Sequence, residues 1–210
     1  MPRTADHDAR RAQICRGVHH SALQVGLASV TVAHAARAAG VSVGLVQHYY
    51  PSKEDLLVDT LDRVLTDVLA RVEQATTLAE QRHARIEHML GAGIEQLLPL
   101  DQTRREEAYL RMAFAGLSLD QEALRPHQQR FTQTLVDRAA RAIENAFTCG
   151  EIPDPDEVDP QLEAYALLSM ADGLCGHLLI GATASETHRT RAVVASCMSR
   201  LFPGTCAHRE

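Results

Sequence analysis

Tryptophan is absent from this 210-residue chain, aromatic residues make up only 4% of it, and a single lysine, Lys53, stands among 21 basic residues. So few rings argue against a full aromatic cage for a quaternary amine. Cysteine is sparse too: Cys15, Cys149, Cys175, Cys197 and Cys206 are odd in number and widely spaced, with no C-x-x-C pair. That excludes a secreted disulfide framework and predicts free thiols in a reducing compartment. No run approaches the roughly 18 apolar residues of a membrane span. The opening MPRTADHDARR lacks the apolar stretch of a secretory signal. The sequence therefore predicts a cytoplasmic protein with no membrane partner. Enzyme signatures are missing as well: there is no G-x-S-x-G, phosphate-binding loop, dinucleotide fingerprint or H-E-x-x-H. No catalytic residue, cofactor or metal ligand is expected. Cys175 and His177 are close in sequence, but two residues apart on a helix they point about 200° away from each other.

What is present is an ordinary globular balance, 45% apolar and 23% charged. The net charge of −6 hides an asymmetry. The first 60 residues carry six basic side chains against five acids, and the remainder is acidic. A phosphate-binding surface needs local rather than overall positive charge, so any such surface belongs in the first 60 residues.

Apolar residues recur at helical spacing throughout, and no period-two strand or fixed-period repeat stands out. Ile14, Val18, Ala22 and Val25 form one stripe of a first helix over about 5–25. Thr31 caps a short helix, 32–39, stopped by Gly40; Ser42 caps a second, 43 to about 50, broken by Pro51. Ser52 and Asp55 start a fourth helix, expected over about 53–76. Longer helices are expected over about 78–98, from after Asp101 to 117, up to Cys149-Gly150 (with Pro126 obscuring the start), over 161–181 and over 185–202. The acidic, proline-rich stretch 151–160 reads as a solvated loop, and 203–210 as a frayed tail.

The informative segment is TVAHAARAAGVSVGLVQHYYPSK, residues 31–53. Two short helices joined by a glycine-containing turn make a helix-turn-helix, whose second helix enters the DNA major groove. On a wheel of about 100° per residue, Val46 and Tyr50 share an inner face, with Val41 able to join them, while Gly44 and His48 point outward beside Val43 and Gln47. Gly44 costs about 1 kcal/mol against alanine in a helix; close approach to another surface is a physical reason to keep it. Gln47 suits a bidentate contact to adenine. Val43 or Leu45 suits a thymine methyl. Tyr49, Lys53 and the backbone N–H groups at the helix starts suit phosphates. A lysine in a helix's first turn opposes the helix dipole and makes sense beside a phosphate. The candidate DNA-contacting set is Thr31, Ser42, Val43, Gly44, Leu45, Gln47, His48, Tyr49 and Lys53.

The order Thr31, Ala39-Gly40-Val41-Ser42, Gly44, Val46, Tyr49-Tyr50, Lys53, Glu54, Leu56-Leu57 resembles the head of the TetR family of regulators. Within it, the run from Gly44 to Tyr50 is closer to the branch that includes choline-responsive repressors. Ala35 stands where the family usually has isoleucine, so the head's core is expected to be slightly under-filled; Gln47 replaces a common tyrosine. The resemblance covers about 8–68. It implies an all-α fold of about nine helices: a three-helix head with its helix-turn-helix at 31–50, joined through helix 4 to a helical ligand-binding and dimerisation domain at 69–210. It also implies a homodimer on a near-palindromic double-stranded DNA operator, acting most typically as a repressor released by a small-molecule effector. A metal- or redox-responsive sensor on the same scaffold, or a helical protein-binding adaptor, are the competing readings.

In the larger domain, Ser169, Gly173 and Gly176, and separately Ala192, Ala195, Ser196 and Ser199, form small-residue faces suited to close helix packing in a dimer. Met89, Tyr109, Met112, Phe114, Phe131 and Tyr165 are candidates for a ligand pocket.

Overall fold

The computed structural model describes residues 3–181 and 183–206. Among these residues the chain is all helical: α1 Arg3–Val25, α2 Val32–Ala39, α3 Val43–Tyr49, α4 Lys53–Gln81, α5 Ile86–Glu95, α6 Gln102–Leu117, α7 Arg125–Cys149, α8 Pro160–Gly181 and α9 Ala184–Leu201. Two compact units emerge. One is formed by the chain up to Asp67 together with Tyr109–Gln129, the other by Val68–Ala108 and the chain from Arg130 onward.

The first unit is built on α1. Ile14, Val18 and Ala22 are fully buried, but Val25, at the end of the expected stripe, is 46% exposed because the helix stops there. At Gly17 the helix passes so close to α2 that a Cβ would lie 2.3 Å from the Ala35 carbonyl oxygen. That close crossing requires glycine at 17, and Ala35 is fully buried in it. Gln13 donates to the Ala39 carbonyl at 2.7 Å, satisfying an otherwise orphaned acceptor at the end of α2. Tyr109 reaches α1 from α6, donating to the Ala22 carbonyl at 3.3 Å.

The second unit departs from the expected helix limits at α4 and α5. The expectation of a break near 76 and a helix over 78–98 does not hold: α4 runs on to Gln81 and α5 occupies only Ile86–Glu95. The intervening turn has His83 at φ 53, and no Gly or Pro marks it. The cap of α5 comes from far away. Glu151 accepts the N–H groups of Ile86 and Glu87 at 2.9 and 3.1 Å, one on each carboxylate oxygen. A carboxylate on the first N–H groups of a helix replaces a local cap and meets the positive end of its dipole. So the stretch after Gly150 is not wholly a solvated loop: Glu151 and Ile152 are buried, and the exposed part begins at Pro153. Pro126 sits in the first turn of α7, where a missing N–H costs nothing.

The tail is likewise held rather than frayed as far as it is described. Phe202 is buried, the Gly204 N–H donates to the Glu151 carbonyl at 2.9 Å, and Arg85 donates to the Gly204 carbonyl at 2.7 Å. Residues 207–210 lie outside the described residues. Arg105 donates to the Leu178 and Leu179 carbonyls at 3.0 and 2.9 Å, satisfying two acceptors in the last turn of α8.

Candidate functional site

The helix-turn-helix forms as its residues dictate. Thr31 accepts the His34 N–H at 3.1 Å and Ser42 the Leu45 N–H at 3.1 Å, so each short helix carries its own cap. Between them Gly40 takes the left-handed conformation, φ 67, and the Val41 N–H bonds back to the Ala36 carbonyl at 3.0 Å. That closes a Schellman turn in which a side chain at position 40 would be strained.

The wheel on α3 is realised. Val46 and Tyr50 are buried, Val41 is half-buried, and Val43, Gly44, Gln47 and His48 face solvent, with Leu45 and Tyr49 half-buried at the flanks. A Cβ at Gly44 would meet no atom within 4 Å, so none of the described residues requires glycine there. Lys53, Thr31 and Ser42 are exposed as well. Tyr49 leans on the His7 ring of α1, centroids 4.6 Å apart.

Behind this surface lies a cluster the sequence did not signal. Tyr50, the C-cap of α3, donates to Asp59 of α4 at 2.5 Å; Cys15 lies 3.3 Å and Arg11 and Arg63 each 3.3 Å from the same carboxylate oxygen. Burial acts to raise the Asp59 carboxyl, but the hydrogen bonds from Tyr50 and Cys15 and the charges of Arg63 and Arg11 outweigh it, leaving it below its ordinary value. Burial, then the Asp59 and Cys15 contacts, push the Tyr50 phenol far upward, so it stays a donor. The rear of α3 is thus pinned to α1 and α4 through one carboxylate. Only the position of Tyr50 on the inner face was legible beforehand.

In the second unit a half-open cavity of about 570 Å³ lies among α4, α5, α7 and α8. Its walls are aliphatic: Val72, Ile86, Met89, Leu90, Ile94, Leu97, Leu135, Leu167 and Leu168, with Gly93, Ala139, Ala142 and Ala164 making room. Glu73, Thr76, Glu80, Arg138, Arg141 and Asn145 supply the polar groups, and Arg138 pairs with Glu73 at 3.4 Å. No aromatic residue is among the described residues that line it.

Of the six expected pocket residues, Met89 alone lines this cavity. Tyr109 and Met112 are half-buried and Phe114 fully buried in the first unit; Phe131 is buried in the second without reaching the cavity; Tyr165 is 60% exposed on α8. The spacing of Met and aromatic residues marked core or surface positions, whereas the cavity wall is made of leucine, isoleucine, valine and alanine, which no pattern separates from packing.

The small-residue faces point outward. Ser169, Gly173, Ala192, Ala195, Ser196 and Ser199 are exposed and Gly176 half-buried. A Cβ at Gly173 would meet nothing within 4 Å. Alongside them on α8, Leu162 and Ile180 are 64% and 90% exposed. By length and a mean hydropathy of 1.3, α8 is apolar enough to cross a membrane. However, it carries Glu163 and Asp172 and buries Ala164, Leu167, Ala171, Cys175 and Leu178 along one face, the pattern of a helix packed on one side with an apolar surface left on the other.

Comparison with known proteins bears on both units. Residues 20–60 match the family described as bacterial regulatory proteins, tetR family, and residues 86–203 match that described as BetI-type transcriptional repressor, C-terminal. The chain is 29% identical over 178 residues to the HTH-type transcriptional regulator BetI 2 of Chromohalobacter salexigens, covering 83% of this chain and 79% of that protein. A transcriptional regulator from Rhodococcus sp. superposes with a TM-score of 0.80 at 22% identity, covering 92% of this chain and 96% of the other. A regulator from Saccharomonospora viridis, solved in complex with choline, does so at 0.75 and 19%, covering 90% and 95%.

Proposed function

The chain belongs to the tetR family of bacterial transcriptional regulators, with a C-terminal region of the BetI-type repressor kind, and on that premise we propose that it is a homodimeric, cytoplasmic repressor released from its operator by an aliphatic small molecule. Regulators of this family are not enzymes. The observation that carries the reading is α3: a capped seven-residue helix whose outer face presents Val43, Gly44, Gln47 and His48 to solvent while Val46 and Tyr50 hold its back.

The proposed head spans 8–68 and the proposed ligand-binding and dimerisation domain 69–210. In the groove, Gln47 reads a base edge, Val43 and Leu45 touch thymine methyls, and Gly44 lets the helix backbone approach. Thr31, Ser42, His48, Tyr49 and Lys53 surround that contact and hold phosphates. The exposed small and apolar faces of α8 and α9 support a dimer made by pairing these two helices with their copies. Two heads must then meet successive major grooves about 34 Å apart, so a modest change in their separation removes much of the affinity. An effector produces that change only by binding the released state more tightly.

The cavity supports an effector with an aliphatic body and a polar end near Arg138, Arg141, Glu73 and Glu80. Choline, which the Saccharomonospora viridis protein holds, makes a poor fit. A trimethylammonium group is recognised by aromatic faces, and this cavity offers none among its described residues. The test is binding of purified protein to a duplex from the DNA flanking its own gene. Affinity that exceeds that for a scrambled duplex and falls linearly on a log–log salt plot supports the reading; equal, weak binding to both duplexes overturns it.

A further inference from the structure

The sulfurs of Cys149 and Cys206 lie within 4.8 Å of each other at the end of α7, beside a Glu151 carboxylate oxygen in the same radius. Cys149 is the last residue of α7 and is buried; Cys206, in the tail, is half-buried. They are 57 positions apart, so their meeting is a property of the fold. It is produced by backbone contacts that do not involve either thiol. Gly150 turns the chain at φ 84. Gly204 donates to the Glu151 carbonyl at 2.9 Å and passes so close that a Cβ there would lie 2.2 Å from the Gly150 carbonyl oxygen. Arg85 clamps the tail through the Gly204 and Phe202 carbonyls at 2.7 and 3.4 Å.

We propose that Cys149 and Cys206 are a redox-active pair that closes to an intramolecular disulfide when the protein meets a hydroperoxide. Cys206, the more accessible, reacts first: its thiolate takes the terminal oxygen of the hydroperoxide, giving a sulfenic acid and an alcohol. Cys149 then attacks that sulfur and water leaves. Two thiols are oxidised by two electrons and one peroxide O–O bond is reduced, with the two thiol hydrogens ending in the alcohol and the water. Burial raises the Cys149 thiol above its ordinary value, so it is the poorer first nucleophile and acts second, its proton leaving with the sulfenic hydroxyl as water. Because the tail is already anchored, closure needs only a local approach to bonding distance.

A metal is the competing use of three such groups. Both Glu151 oxygens already accept helix N–H groups, and the Arg85 guanidinium lies 3.6 Å from one of them. A cation would have to displace the cap of α5 and sit against a fixed positive charge, which leaves two thiols, the complement of a disulfide rather than of a closed metal site. The corner also matters to its neighbours, because Glu151 holds the start of α5, and Ile86, Met89 and Leu90 of that helix line the cavity. The proposal is independent of what that cavity binds.

The experiment uses the full chain, fully reduced and then treated with tert-butyl hydroperoxide. The expected result is a fall in titratable thiols from the five in the sequence by two. A peptide joining residues 149 and 206 should appear in a non-reducing digest, and Tm should rise by roughly 5 °C or more, reversed by dithiothreitol. Cys206→Ser, at a half-buried site, should fold normally and abolish all three changes; Cys149→Ser should do the same, and if it folds poorly Cys206→Ser alone decides. The proposal is overturned if no thiols are lost, if the crosslink joins Cys206 to Cys197 or to a second copy, or if one equivalent of zinc added to the reduced protein protects both thiols and the Cys206→Ser variant fails to bind it.

Discussion

Tyr50 donates its hydroxyl to the Asp59 carboxylate at 2.5 Å, tying the C-cap of α3 to the second turn of α4. Arg11, Arg63 and Cys15 converge on the same oxygen. Removing the acceptor strands a buried phenol and takes one of the carboxylate partners from Arg63, which keeps Asp8 at 2.6 Å, and that of the half-exposed Arg11; removing the phenol hydroxyl leaves the carboxylate its other donors. Asp59→Ala should therefore destabilise the protein by about 3 kcal/mol and Tyr50→Phe by about 1 kcal/mol, read from urea unfolding.

The same carboxylate gives a pH dependence with a definite sign. Its folded-state value lies below the ordinary 3.8. The stability it contributes is therefore present above that value and is lost as pH falls through the lower, folded one. The gap in stability between wild type and Asp59→Asn should be full at about pH 7 and shrink as pH falls below 3.8 towards the lower, folded-state value. A gap independent of pH would assign the cluster a neutral role.

Gly44 separates folding from function. With no atom within 4 Å of a Cβ there, Gly44→Ala should stabilise the fold by up to about 1 kcal/mol through helix propensity alone. It should also weaken DNA binding, because the methyl group stands between the helix and the groove. A variant that is less stable, or that binds duplex unchanged, would place α3 differently.

Glu151 caps α5 across 65 residues of sequence. Glu151→Ala leaves the Ile86 and Glu87 N–H groups without their acceptor, while Arg85 keeps the Gly204 and Phe202 carbonyls. The substitution should cost about 2–3 kcal/mol in unfolding measurements. Ala142→Phe should instead fill the cavity from α7, abolish binding of an apolar fluorescent probe, and leave operator affinity intact.

How much of this was legible in the sequence depended on how local the cause was. Thr31, Gly40 and Ser42 each act within four residues, so the limits of α2 and α3 could be read directly. The break between α4 and α5 could not: its turn contains neither Gly nor Pro, and the cap that starts α5 is a carboxylate brought in from beyond α7. The Gly17–Ala35 crossing and the seat of Gly204 are long-range contacts of the same kind. The solvent-facing residues of α3 were legible because an outward glycine and glutamine on a short helix are poor choices for packing. The cavity was not, because Leu135 or Ala142 on its wall has the same chemistry as any core residue.

The central claim is that the exposed face of α3 reads base sequence while Lys53 holds a phosphate. The most direct measurement is operator affinity of the wild type, Gln47→Ala and Lys53→Ala across a salt series, on the operator and on duplexes altered at single base pairs. Gln47→Ala should lose about 1–3 kcal/mol of discrimination at one base pair in each half-site and keep its salt slope. Lys53→Ala should weaken binding to every duplex alike and flatten the slope by about one for each phosphate that the lysine no longer neutralises. If both variants bind all duplexes as the wild type does, α3 is not the surface that meets DNA.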